Sequence, residues 1–97
     1  MSTTTITADR TAPTTDTLVA LATRDMRGAT RAALNAFYRG EVSADLAALF
    51  FCNAVAFGDA VAPTGIDCRG SATVAARLRD DVDGDAVFYT LLGAVGG

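Results

Sequence analysis

The sequence predicts a small α+β domain, in which three helices pack on a curved antiparallel sheet. Apolar residues recur at spacings of three and four along the first half, as in amphipathic helices. The segment 86–92 is rich in Val, Phe, Tyr and Thr, which favour strands. The chain has 97 residues, 51% of them hydrophobic, which is sufficient for the core of one domain. A small all-helical bundle is the alternative, because alanine is abundant.

Local patterns give the order of the elements. Residues 1–15 are Thr-rich without periodicity, so we expect a disordered tail before a single domain over 16–97. Gly28 indicates a bend or a close contact inside the first helix, and Gly40 indicates its end. Suitable N-cap residues begin the three helices: Asp16, Ser43 and Ser71. The predicted elements are helices over 16–39, 43–50 and 71–80 and strands over 52–57 and 86–92.

The residue types exclude several kinds of catalysis. All eight basic residues are Arg, so the chain has neither Lys nor His. Without His, neither a Ser-His-Asp nor a Cys-His relay can be built, and without Lys there is no Schiff-base chemistry. Any catalysis would depend on Asp, Glu, Tyr, Arg or Cys.

Charge and cysteine usage give expectations about partners and compartment. The net charge of −3 argues against nucleic-acid binding, and no apolar run approaches the roughly 20 residues that span a bilayer. Residues 1–17 lack the features of a signal peptide, so we expect a cytoplasmic protein without membrane partners. Cys52 and Cys68 are then interpreted as reduced, buried thiols.

Metal and cofactor motifs are not fulfilled. The acidic run 80–85 resembles part of a calcium loop, but with Gly84 in sixth place Arg79 is first and Thr90 twelfth, and neither suits calcium. We therefore expect no metal site and no cofactor. Arg24, Arg27 and Arg31 are interpreted as a solvated helix face.

One carboxylate and three aromatic residues are the candidate site. Asp59 and Asp67 lie in the loop after the first predicted strand, where Asp residues are usually turn formers. At the rim of an apolar cavity, a carboxylate such as Asp59 would become a general acid or base near neutral pH. Phe37, Phe57 and Phe88 would be the apolar, ligand-binding walls, although core positions are the more ordinary interpretation.

Four short segments together resemble the N-terminal portion of SnoaL-like domains, in the nuclear-transport-factor-two-like superfamily. They are NAFYRGE at 35–41, LAALF at 46–50, NAVAF at 53–57 and CRGS at 68–71. The resemblance implies a cone of curved strands around an apolar pocket, often in a homodimer. It departs from the family at Asn53, where Asp is frequent, at Ala33, where the isomerases have Tyr, and at Gly58, where they have the base.

Two functions from different classes follow. The family's later strands are missing, so we expect a natural truncation, a fragment or a different small fold. The favoured hypothesis is a non-catalytic association module or a module that binds a small apolar ligand. As an association module it would be a homo-oligomer, formed through the 86–92 edge or the first helix. The alternative is an enzyme similar to polyketide cyclases or ketosteroid isomerases, with Asp59 as its acid–base group.

Overall fold

A computed structural model describes residues 14–80 and 86–96, and within these ranges it has five α-helices and no strand. The helices are α1 (Thr15–Ala22), α2 (Met26–Tyr38), α3 (Ala44–Ala56), α4 (Ser71–Arg79) and α5 (Ala86–Ala94). The predicted α+β fold with its curved sheet is therefore wrong, and so is the cone that the resemblance implied. Most of the expected tail and residues 81–85 of the acidic run lie outside the described residues.

The segment predicted as the first strand, 52–57, instead continues α3 to Ala56. Alanine is the best helix former, and its frequency in this segment favours continuation of the helix. The buried residues also follow a helical repeat: Ala47, Ala48, Phe51 and Ala54. An alternating strand would bring residues from this set to opposite faces, whereas a helix places all four on one side.

The segment predicted as the second strand, 86–92, is part of α5. Val87, Phe88, Leu91 and Val95 are buried, and their spacing matches one face of a helix. The β-propensity of Val, Phe, Tyr and Thr spans only about 1 kcal/mol and is easily overridden by packing against neighbouring elements. Here burial of this face against the rest of the core decides the conformation.

The predicted helix over 16–39 is two helices, separated at Thr23–Asp25. The Asp25 side chain accepts a hydrogen bond from the Gly28 N–H at 2.9 Å, which caps the start of α2. A Cβ atom at Gly28 would collide with that carboxylate, so the glycine gives the capping group its space. The expected close contact at Gly28 is confirmed, and the break lies three residues before it.

Caps define the other helix ends. Thr14, and not Asp16, caps α1, while the predicted Ser43 cap is confirmed by its 3.1 Å bond from the Leu46 N–H. Gly70 is the N-cap residue of α4, so Ser71 lies inside the helix. Gly40 ends α2 as predicted: its φ is +78°, and the following N–H of Glu41 bonds to the Ala36 carbonyl at 2.8 Å.

The core has two parts. The larger cluster joins α2, α3, α4 and α5 through residues that include Leu34, Phe51, Val74 and Leu91. The smaller one joins α1 to α2 and α3 through Leu18, Ala29, Ala33 and Phe50. Leu18 is the buried residue of α1, so this one side chain is the main attachment of that helix.

A buried hydroxyl connects α2 with α3. Thr30 is fully buried, and its Oγ1 lies 2.8 Å from the Met26 carbonyl oxygen and 3.2 Å from that of Phe50. Its single proton is therefore shared between a carbonyl of its own helix and one of the neighbouring helix.

Candidate functional site

An apolar groove of about 410 Å³ lies between α1 and α3. Among the described residues none that lines it is charged. Val19, Leu49 and Phe57 retain 51%, 47% and 71% of their accessible surface. Isolated exposed apolar residues are ordinary, but several that share one concave surface are typical of binding sites.

The helix geometry explains why these side chains face outwards. In α1, Leu18 points to the core, so Val19, about 100° further around the helix, faces solvent. In α3, the inward face is provided largely by small alanines, and Leu49, Asn53 and Phe57 form a second stripe at intervals of four residues. α3 is therefore apolar on two sides, as expected of a helix with two contact surfaces.

A glycine turn places Phe57 at the end of the groove. Gly58 has a φ of +82°, and the Asp59 N–H bonds to the Ala54 carbonyl at 2.7 Å, which closes the C-terminus of α3. The chain turns away directly after Phe57, whose ring remains exposed.

A polar pocket of about 450 Å³ adjoins the groove. It is lined by Arg24, Asp25, Arg27 and Asp59, and it shares with the groove Ala22, Thr23, Met26 and Phe57. Arg27 Nε donates to the backbone oxygen of Asp59 at 3.2 Å, which connects α2 to the turn after α3. The charged pocket and the apolar groove therefore share a wall and lie side by side.

The structure brings together only some of the residues that the sequence predicted. Phe57 and Asp59 both line the polar pocket. Phe37 is half-buried against the larger core cluster. Phe88 is buried in that cluster, with its ring stacked on Tyr38 at a centroid distance of 4.6 Å.

Sequence reasoning missed the residues that build the groove. Leu49 lies in the predicted helix 43–50, but neither it nor Val19 was singled out as a site residue. The signal was present in α3, where apolar residues occupy more than one face once the helix is extended to Ala56.

Arg24, Arg27 and Arg31 are exposed, as the solvated-face interpretation predicts. Only the folded chain shows that Arg24 and Arg27 also adjoin the apolar groove.

The cysteines have the properties of protonated thiols. Cys52 and Cys68 are free and half-buried, and burial is the main cause that raises the pKa of each thiol above its ordinary value. A raised pKa lowers the thiolate fraction near neutral pH and with it the reactivity. Over 14–80 and 86–96, no three potential His, Cys, Asp or Glu ligands are grouped for a metal ion.

None of the described helices combines the length and the apolar character needed to cross a bilayer. No protein-family model, curated protein or solved structure matches this chain significantly.

Proposed function

We propose that this chain is a non-catalytic binding module that holds a small hydrophobic ligand in the groove between α1 and α3. The exposure of Val19, Leu49 and Phe57 around one uncharged depression carries the proposal. The groove volume of about 410 Å³ is within the range of roughly 300–1,000 Å³ typical of ligand sites.

Burial of the groove would supply binding free energy. Full burial of an exposed Val, Leu or Phe side chain contributes about 1.5–3 kcal/mol, and these three are roughly half exposed. Covering them would contribute roughly 2–5 kcal/mol from the protein side, before the costs of association. The ligand's own apolar surface adds to this contribution.

An uncharged fluorescent dye that brightens in apolar surroundings tests the proposal. Leu49→Gln places a polar amide in the groove and keeps a good helix former. We expect it to weaken dye binding about tenfold, equivalent to about 1.4 kcal/mol. Tyr89→Gln is the matched control, because Tyr89 is also exposed but lies outside the groove lining.

The dissociation constant of the dye for Tyr89→Gln should stay within about twofold of that for the unmodified chain. This corresponds to a change in binding free energy of less than about 0.5 kcal/mol. Equal weakening by Leu49→Gln and Tyr89→Gln, with helical content unchanged, would contradict the groove as the site. So would the absence of saturable dye binding.

A second copy of the chain is the second candidate occupant. Each groove wall is a stripe along a helix. One stripe is formed by residues 15, 19, 22 and 23 of α1 and its C-terminal end, and the other by residues 46, 49, 53 and 57 of α3 and its C-cap. Two such stripes suit the packing of a further helix. Self-association through the first helix thus stays part of the proposal. Association through a strand edge at 86–92 is excluded, because this segment is helical.

Light scattering across a concentration series separates the two occupants. A mass that doubles with concentration, and falls back in Leu49→Gln, supports the second copy. A constant monomer mass with saturable dye binding supports the small ligand.

The geometry around Asp59 favours binding over catalysis. The cyclase- or isomerase-like alternative needs a carboxylate at the wall of a water-excluding apolar cavity. Asp59 instead lines the charged pocket beside Arg24 and Arg27. A cytoplasmic location belongs to the same proposal, since a reducing compartment suits the free thiols of Cys52 and Cys68.

A further inference from the structure

The shared lining of the apolar groove and the polar pocket points to a ligand with two chemically different ends. Ala22, Thr23, Met26 and Phe57 line both. A molecule that fills the groove towards Phe57 therefore reaches residues that also line the pocket of Arg24 and Arg27.

The charged groups of the pocket are not equally available. One oxygen of the Asp25 carboxylate, Oδ1, accepts the capping bond of α2, and its negative charge compensates the positive end of the helix dipole. Arg27 uses Nε for the Asp59 carbonyl, which leaves both terminal nitrogens without a partner in the described residues. Arg24 likewise has no side-chain partner within 14–80 and 86–96.

The pocket is lined by two arginines and by the carboxylates of Asp25 and Asp59, so its formal charges balance. The preference for a headgroup then depends on which of these groups have free hydrogen-bonding atoms. Arg24 and Arg27 both line the pocket, and a guanidinium with free N–H donors suits a carboxylate, which accepts paired hydrogen bonds from arginine. A cationic headgroup would be repelled by both arginines. Of the two carboxylates, Asp25 already caps α2, so Asp59 would be its main partner.

We propose that the ligand is a free single-chain fatty acid, with its hydrocarbon chain in the α1–α3 groove and its carboxylate at Arg24 and Arg27. This proposal rests on the proposed function, because it specifies the ligand of the same groove. A dissolved fatty acid fits better than a membrane surface, since adsorption to anionic lipid requires a cluster of basic residues and this chain has a net charge of −3.

Three probes with the same alkyl chain test the headgroup: laurate, lauryl alcohol and laurylammonium, each titrated below its micellar concentration with displacement of the uncharged dye as readout. We expect laurate to bind about tenfold more tightly than the alcohol, a gap typical of charge-assisted hydrogen bonds. Laurylammonium should bind more weakly than either.

The matched variants are the double substitution Arg24→Gln with Arg27→Gln, and Arg31→Gln as the control. Arg31 is an exposed arginine of α2 outside the pocket lining. The double variant should bind laurate and the alcohol equally, whereas Arg31→Gln should keep the preference. Circular dichroism verifies that all variants retain their helices.

Equal binding of laurate and the alcohol by the unmodified chain would overturn the fatty-acid assignment and leave the hydrophobic groove intact. Preference for laurylammonium, or loss of the laurate preference in Arg31→Gln, would overturn it as well. If the dye binds saturably but no probe displaces it, the fatty-acid assignment fails alone. If the dye itself does not bind saturably, the proposed function fails with it. Binding to anionic phospholipid vesicles that laurate does not compete away would assign the site to a membrane surface instead.

Discussion

Leu18→Ala should detach α1 from the rest of the molecule. Leu18 is 1% exposed and is the buried residue of this eight-residue helix. The substitution removes three carbon atoms, which at about 0.8 kcal/mol each corresponds to roughly 2.4 kcal/mol of lost burial. The cavity contribution should be small, because α1 lies at the edge of the core and can relax into the space.

The loss should appear locally. An isolated helix shorter than about 12 residues is marginal in water, so α1 without its anchor unfolds while α2–α5 stay folded. A loss of about 2–3 kcal/mol corresponds to amide exchange in α1 that is roughly 30- to 150-fold faster. Amides of α3 and α4 should change far less.

Hydrogen exchange followed by NMR measures both effects in one sample. Val19→Ala is the control, because it alters the neighbouring, half-exposed residue of the same helix. Leu18→Ala should also weaken dye binding, since α1 is one wall of the groove. Exchange rates in α1 that match those of Val19→Ala would refute the view that Leu18 anchors this helix.

Three further predictions concern a turn, an ion pair and the core. Gly58→Ala should lower the free energy of unfolding by more than about 1 kcal/mol, because Gly58 has a φ of +82°. Gly93→Ala should raise it by up to about 1 kcal/mol, because Gly93 lies in α5 with open space around it. Urea denaturation measures both changes. Hydrogen bonds from Arg69 lower the pKa of Asp67 from 3.8 to about 2. The stabilisation by this pair is therefore present above pH 4 and disappears as the pH falls towards 2. An NMR titration of Asp67 should give a midpoint at about 2, and Arg69→Gln should return that midpoint towards 3.8. Phe88→Ala should cost about 3–5 kcal/mol in thermal or urea unfolding, and a cost below about 1 kcal/mol would contradict its place in the core.

Helix starts and stops that depend on local chemistry could be predicted from the sequence. Ser43 and Gly40 act where they were expected, because a capping hydroxyl and a left-handed glycine work over three or four residues. The break before α2 was not predicted, because the apolar stripe continues through it. Asp25 is the cap that interrupts it.

The fold class could not be predicted, because the decisive segments carry conflicting signals. Residues 86–92 combine strand-favouring residue types with a helical spacing of buried positions, and the packing partners determine which one prevails. The groove was hidden for a related reason. Because Leu49 is apolar, its residue type predicts a core position. Its exposure depends on which alanines of α3 face inwards.

The shared proton of Thr30 gives the contact between α2 and α3 a property that apolar packing alone would not provide. The apolar contact between α2 and α3 combines alanines with Leu34, Phe50 and Phe51, and such packing is not directional. The Thr30 hydroxyl meets the Phe50 carbonyl in one axial position alone. Thr30→Val should lower the melting temperature by only about 4–8 °C, since one hydrogen bond contributes about 1 kcal/mol. The variant would lose this directional contact, and the resonances around residues 30 and 50 should broaden as the local contact between α2 and α3 loosens.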